Sequence, residues 1–328
     1  MAFRVGLVGL GMAVTPHAKS LLELRDRVEV AYAFSPSAGR RQEFSRKFPF
    51  PPCERVETIL EDRSVDAVLV LTPPNTHLEI VERCAAAGKH VLLEKPLEVS
   101  TQRAERLVEV MKRNGRRLGI VLQHRFRPAV KKLGELLPSL GYLVSASATI
   151  GNWRPQSYYD QPGRGTRARD GGGVLLTQGI HTLDVYLSLA GEPEQVMSLA
   201  TTTPVHRMET EDLVCAAVRF ANGALGTVHA TTAAYPGFPE RIELIGMNGT
   251  ALLEGNALWV EFRDRERYEL KSDAGAAGAG ADPMAFPHDW HRSLLSDFLD
   301  AIEQDHEPRV SGAEALKVHR FIDRLLQT

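Results

Sequence analysis

Between Phe3 and Leu122, short β-branched runs alternate with helical patterns, and this alternation constrains the chain more than any other feature. The strand candidates are Arg4 to Val8, Val28 to Phe34, Ala67 to Leu71, His90 to Leu93 and Arg117 to Leu122. Parallel strands need long crossovers, so strand–helix–strand repetition predicts a parallel sheet with helices on both faces. The punctuation agrees. Thr76 and Glu79 have the spacing of a capping box, and Gly88 stands where a helix ending near Ala87 needs a left-handed residue. After about residue 123 the pattern changes to that of tight-turned antiparallel strands. Leu213 to Phe220 and Ala224 to Thr231 flank Asn222-Gly223, and Arg241 to Gly246 precedes Asn248-Gly249, both hairpin signals. Helical segments over Trp290 to Gln304 and Ala313 to Leu326 close the chain, and Ser272 to Ala281, rich in alanine and glycine, reads as a flexible surface loop. The expectation is an α/β chain. Residues 1–122 form a doubly wound parallel sheet, and residues 123–328 an α+β domain with a large open, mostly antiparallel sheet.

With 328 residues each domain can bury its own core, and a net charge of -2 supplies no basic surface for nucleic acid. The partner expected is a small molecule. No run of eighteen apolar residues occurs and the first residues do not read as a signal peptide, so the expectation is a cytoplasmic protein with no membrane partner. Cys53, Cys84 and Cys215 are odd in number and far apart, which supports neither disulfides nor a zinc site. The pair His288 and His291 in "HDWH" finds no third ligand at matching spacing, so no metal is expected.

The first strand runs into Gly9-Leu10-Gly11, followed by Met12 and Ala13 and then a helical pattern. Glycines there let the backbone approach a pyrophosphate, which sits on the positive end of the next helix. The third motif position is Val14 rather than Gly or Ala, and a tight turn in some other α/β protein is the alternative. At the end of the second strand, where a carboxylate would bond the ribose 2′-hydroxyl of NAD, the chain has Ser35, with Arg40 and Arg41 after it. Arginines with no carboxylate nearby suit a 2′-phosphate, so the cofactor is NAD or NADP with a lean to NADP. A solvated helix face is the alternative for the arginine pair.

Four segments carry a resemblance: the opening turn with "TPPNTHLE" at Thr72 to Glu79, "EKPLEVS" at Glu94 to Ser100, "GGGVLLTQGIHTLD" at Gly171 to Asp184 and "SGAEALKVHRFID" at Ser311 to Asp323. In this order they resemble the Gfo/Idh/MocA family, NAD(P)-dependent oxidoreductases of the glucose-fructose oxidoreductase and inositol dehydrogenase type. The resemblance implies a Rossmann domain and a homo-oligomer, dimer or tetramer. It implies cofactor contacts from Gly9, Gly11, Met12, Ala13, Thr72, Pro73, Pro74, Asn75, His77, Glu94, Lys95 and Pro96, to which the position of Ser35, Arg40 and Gln123 adds three. It also implies that Lys95 approaches nicotinamide ribose and substrate, and that His181 is the family histidine. The Lys95-Pro96 bond is a candidate cis peptide.

If Gly173 to Leu189 is helical, Thr177, His181 and Asp184 share one face. Many family members have Asp where this chain has Thr177, and threonine takes no proton. The resemblance implies hydride transfer between nicotinamide and a carbinol carbon of a sugar, inositol or sugar-acid derivative, nucleotide-linked forms included. Alcohol oxidation needs a base within reach of the hydroxyl proton, and a histidine titrates nearer neutrality than a lysine, which favours His181 as the base and Lys95 as the residue that polarises or relays, with the exchanged roles as the alternative. Further substrate candidates are Arg125 in "QHRFRP" and Trp153, Arg154, Tyr158 and Arg164 in the long "NWRPQSYYDQPGRGT" segment. The competing readings are a non-catalytic sensor of the same fold and a reductase of a non-sugar carbonyl or dihydrodiol.

Overall fold

The computed structural model describes residues 2–271 and 287–327, so the expected loop at Ser272 to Ala281 lies outside the described residues. Its strands are β1 Phe3–Val8, β2 Val28–Phe34, β3 Pro52–Cys53, β4 Ala67–Val70, β5 His90–Leu93, β6 Leu118–Ile120, β7 Leu143–Gly151, β8 Pro193–Thr201, β9 Leu213–Phe220, β10 Leu225–Thr231, β11 Arg241–Gly246, β12 Gly249–Glu254, β13 Ala257–Phe262 and β14 Tyr268–Leu270. Its helices are α1 Val14–Glu23, α2 Ala38–Lys47, α3 Val56–Glu61, α4 His77–Ala86, α5 Thr101–Arg113, α6 Pro128–Leu136, α7 Gln156–Tyr159, α8 Arg167–Asp170, α9 Ile180–Ala190, α10 Asp289–Glu303 and α11 Gly312–Leu326. None is long and apolar enough to cross a membrane.

The chain divides into two units. The first comprises residues 1–123 and returns at 287–316, a segment that the sequence pattern assigns wholly to the second domain. Its sheet has the order β3-β2-β1-β4-β5-β6, all neighbours parallel. Order reverses between β1 and β4, the switch point at whose carboxyl edge open α/β sheets bind ligands. The central strands carry Val5, Leu7, Val68, Leu69, Leu92 and Leu93 with no exposed surface, as a sheet covered on both faces requires. The returning segment is held by its own contacts. Asp300 on α10 accepts from Arg27 Nη2 at 2.6 Å, and Val310 pairs with β6 through Ile120 N–H at 2.9 Å. The stop after α4 forms as expected: Gly88 has φ +73°, with Gly88 N–H donating to Ala85 O and Lys89 N–H to Cys84 O. The capping box does not form. The Thr76 hydroxyl bonds Thr72 Oγ1 and Pro73 O instead, and Glu79 pairs with Arg103 on α5.

The second unit is built on an eight-stranded sheet, β14-β13-β12-β11-β7-β10-β9-β8, antiparallel except for the parallel pair β7 and β10. The Asn222-Gly223 hairpin is present, with Gly223 at φ +86°. The second hairpin is offset by one residue: Gly246 and Gly249 pair, leaving Met247-Asn248 as the turn. One sheet face packs on α9, where Tyr186 is fully buried and donates to Ala146 O at 2.9 Å. The other face leaves large apolar side chains in solvent, Met197 at 74% and Leu199 at 77% exposure among them.

Candidate active site

The first unit gathers the expected cofactor residues at the carboxyl edge of its sheet. Gly9 takes φ +107°, and a Cβ there would lie 2.6 Å from the Leu71 carbonyl oxygen, so both backbone angle and strand approach demand glycine. Gly11 differs. A Cβ added to it meets no protein atom within 4 Å, so packing within the protein does not require this glycine. It leaves open backbone before the amino end of α1, whose first turn holds no acidic residue, which suits a dinucleotide pyrophosphate. Met12 is exposed and Ala13 half-buried beside it, while Val14 turns into the core. The third motif position therefore serves helix packing.

At the end of β2, Ser35 is buried and its hydroxyl accepts from Ser37 N–H. The arginine pair divides: Arg41 turns back to donate to Ser35 O at 2.8 Å, and Arg40 stays exposed on the first turn of α2. Pro73 and Asn75 are exposed after β4, with Thr72 and Pro74 half-buried. His77 corrects an expectation. Its ring is fully buried, with Nε2 2.9 Å from Thr72 O and Nδ1 3.1 Å from both Pro96 O and Leu97 O. It ties the loop after β4 to the loop after β5 and cannot also face a cofactor through the ring. Burial pushes its pKa down.

The Lys95-Pro96 bond is cis. Glu94 Oε2 accepts from the Lys95 amide at 3.1 Å and Oε1 from His17 Nε2 at 2.9 Å. Burial pushes the Glu94 carboxyl up, but the His17 hydrogen bond and surrounding positive charge, Lys95 included, outweigh it and hold the group below the usual carboxylate range. His291 of "HDWH" reaches the same cluster, its ring edge-on to His17 at 5.0 Å. Donor atoms of His17, Glu94 and His291 lie within 4.8 Å of one another, whereas His288 turns away to Glu23 at 2.8 Å. His17 and Glu94 already use two of these atoms on each other. Gln123, just after β6, is buried with its side-chain oxygen unpartnered among the described residues, an orphan that a carboxamide N–H would satisfy.

In the second unit the expected single helix from Gly173 is interrupted. Leu175–Gly179 forms a π-helical turn before α9, and the extra residue shifts Thr177 relative to His181 and Asp184. The Thr177 hydroxyl donates to Gly173 O at 2.7 Å. Gly173 is glycine because a Cβ would stand 1.8 Å from Glu211 O. The half-buried Glu211 carboxylate accepts from the Gly173 and Leu175 amides and so caps this turn. His181 is half-buried and stacks on His124, centroids 4.5 Å apart. Sequence reasoning passes over His124, whose only signal is its place beside Gln123. Asp184 is a second correction: fully buried, it accepts from Arg125 Nε at 2.8 Å and Nη2 at 2.7 Å, so the two candidates occupy each other.

The long segment after β7 is not structureless. It contains α7, and Trp153 bridges Ala233. Tyr158 has the guanidinium of Arg164 4.9 Å and that of Arg154 5.8 Å from its ring centroid, and Trp153 meets Tyr235 edge-on. Arg154 is buried and donates to Trp153 O, which makes it a support for Tyr158 more than a surface cation.

The comparisons with known proteins agree with this geometry. Residues 3–121 match the family model for the Gfo/Idh/MocA oxidoreductase family, NAD-binding Rossmann fold, and residues 138–252 match the Gfo/Idh/MocA C-terminal domain. Myo-inositol 2-dehydrogenase of Thermotoga maritima is 32% identical over 255 residues, covering 75% of this chain and 73% of that protein. Inositol 2-dehydrogenase of Rhizobium meliloti is 26% identical across 100% of this chain and 97% of its own. Among solved structures, the WlbA dehydrogenase from Bordetella pertussis in complex with NADH and UDP-GlcNAcA has a TM-score of 0.84 at 25% identity, covering 100% of this chain and 96% of that one. A glycine turn at the switch point and matches to both domain models place this chain in the Gfo/Idh/MocA family of NAD-binding oxidoreductases.

Proposed function

We propose that this oxidoreductase transfers hydride between C4 of nicotinamide and a carbinol carbon of an inositol or a sugar derivative. The observation that carries the reading is Gly11, glycine without a packing reason at the mouth of α1, together with the Lys95 turn on the same sheet edge. Similarity to myo-inositol 2-dehydrogenase favours a polyol.

The bound dinucleotide supplies the hydride acceptor. Gly9, Gly11, Met12 and Ala13 receive its pyrophosphate at the α1 amino end, Thr72, Pro73, Pro74 and Asn75 line its path, and Gln123 bonds the carboxamide. His181 takes the hydroxyl proton. Lys95 hydrogen-bonds the same oxygen and stabilises negative charge developing on it. His124, stacked on His181, fixes the plane of that ring. Trp153, Tyr158 and Arg164 bind the hydroxylated substrate. Arg40, exposed where a ribose 2′-substituent would lie, favours a 2′-phosphate, so NADP is expected to bind at least as well as NAD.

The test is steady-state oxidation of myo-inositol, scyllo-inositol and aldoses with NAD and with NADP, alongside dinucleotide binding by NADH and NADPH fluorescence. Lys95→Met and His181→Asn are each expected to lower kcat at least a hundredfold while leaving the dinucleotide Kd within threefold. Full activity in either variant overturns the scheme. Dinucleotide binding with no turnover of any polyol supports the sensor reading instead.

We further infer a homo-oligomer formed through the open sheet face of the second unit, because Met197, Leu199 and Leu225 form an exposed apolar group on one face of β8 and β10 that a monomer has no reason to keep.

A further inference from the structure

We infer that His17 is a positioning residue for Lys95, acting through Glu94; the inference rests on the proposed role of Lys95. His17 lies on α1, the helix after the glycine turn, and is 1% exposed. Its Nε2–H donates to Glu94 Oε1 at 2.9 Å, and the other oxygen of the same carboxylate accepts from the Lys95 amide at 3.1 Å. The carboxylate is thereby held at both ends, by one group on the dinucleotide-binding helix and one on the residue that acts on substrate.

A carboxylate with one fixed oxygen rotates about its terminal bond, whereas two anchored oxygens define its plane and hence the direction in which the Lys95 amide is pulled. Glu94 is held below the usual carboxylate range, chiefly by the His17 hydrogen bond against the opposing effect of burial, so both of its oxygens are available as acceptors. His17 is itself braced: His291 packs edge-on at 5.0 Å, and burial pushes the His291 pKa down to about 3, so this second ring stays neutral and exerts no repulsion near neutral pH. α10 is also held by Arg292 and His288, which pair with Glu23 on α1, and by Arg27, in the turn after α1, which bonds Asp300 and Ser296.

A histidine at this position thus lets the amino-terminal helix set the orientation of a lysine 78 residues further along the chain without touching substrate. Gln in place of His17 keeps an N–H donor near the Nε2 position; Leu removes it at similar volume.

The experiment compares His17→Leu, His17→Gln and Glu94→Gln with the unmodified protein. It measures thermal midpoint, NADH Kd, and kcat with myo-inositol and NAD. It also tracks the ¹³C resonance of Lys95 after reductive ¹³C-methylation of the lysines, assigned by its loss in Lys95→Met. The expected result is a kcat at least tenfold lower in His17→Leu with NADH Kd within threefold, recovery to within threefold of the unmodified protein in His17→Gln, and a displaced Lys95 resonance in His17→Leu alone of these two. Adding His17→Leu to Glu94→Gln is expected to cost less than threefold more. An unmoved Lys95 resonance in folded His17→Leu overturns the inference, as does an undiminished tenfold loss in the Glu94→Gln background. If His17→Leu does not fold, a His17→Gln protein that folds but shows the displaced resonance overturns it equally, and an undisplaced one supports it. Should the unmodified protein not oxidise the polyol, or Lys95→Met remain active, the proposed function fails while the resonance still decides whether His17 positions Lys95.

Discussion

At the scale of single residues, burial separates the groups that serve each other from those left to face a ligand. Arg125 and Asp184 form a buried bidentate pair, and removing one partner strands a charge in a low-dielectric setting. Arg125→Leu is expected to destabilise the protein by roughly 3–5 kcal/mol in urea unfolding, and Arg125→Leu with Asp184→Leu by less than the single variant. Two histidines carry a pH signature. Burial pushes His90 down to about 4 and His291 down to about 3, so above the ordinary histidine pKa neither folded nor unfolded chain holds these protons and stability is flat. As pH falls below about 6.5 the unfolded chain takes up protons that the folded chain refuses, and stability drops by about 1.4 kcal/mol per pH unit for each group until the folded pKa is reached. Urea midpoints between pH 7.5 and pH 4.5 check this, with His291→Gln expected to flatten the slope. The sequence singles out Lys95, His181 and the glycines by type and motif, and the roles proposed for them rest on that. It did not disclose that His77 and Asp184 were already occupied, because a side chain's partner sits on another element: Asp184 meets an arginine 59 positions away.

At the scale of elements, the turn between β1 and α1 uses its glycines for different reasons, and substitution separates them. Gly9→Ala forces a Cβ into the Leu71 carbonyl at an unfavourable φ, so loss of both stability and dinucleotide binding is expected. Gly11→Ala leaves the thermal midpoint within about 2 °C while weakening NADH binding at least tenfold, as calorimetry and fluorescence titration would show. A Gly11→Ala protein with unchanged affinity would remove the main support for the pyrophosphate cradle. Hydrophobic periodicity and turn chemistry made β1, β2, β4, β5, β9 and β10 legible nearly to the residue. β7, β8, β12, β13 and β14 were not delimited, and two further features escaped for a local reason. β3 is only two residues long, too short for a period. The π-helical turn at Leu175–Gly179 keeps an apolar pattern indistinguishable from an α-helix, and the Glu211 cap that holds its start comes from a distant loop.

At the scale of the whole molecule, the open sheet face is the surface on which the proposed oligomer rests. Met197→Glu with Leu199→Glu is expected to convert the proposed oligomer to monomers in sedimentation velocity with NADH binding retained, since both residues lie on β8, far in sequence from the dinucleotide edge. A monomeric unmodified protein would remove that proposal. By itself the sequence determined the parallel character of a dinucleotide-binding sheet and the mostly antiparallel character of the second sheet, because these depend on local periodicity and on turns that only glycine or proline can make. Only the tertiary structure decided that residues 287–316 belong with the first unit, that α10 brings His291 to His17, and that His17 reaches Glu94. Hydrogen bonds act over about 3 Å and burial is a property of the packed whole, so neither leaves a trace in the spacing of residues that meet only after folding.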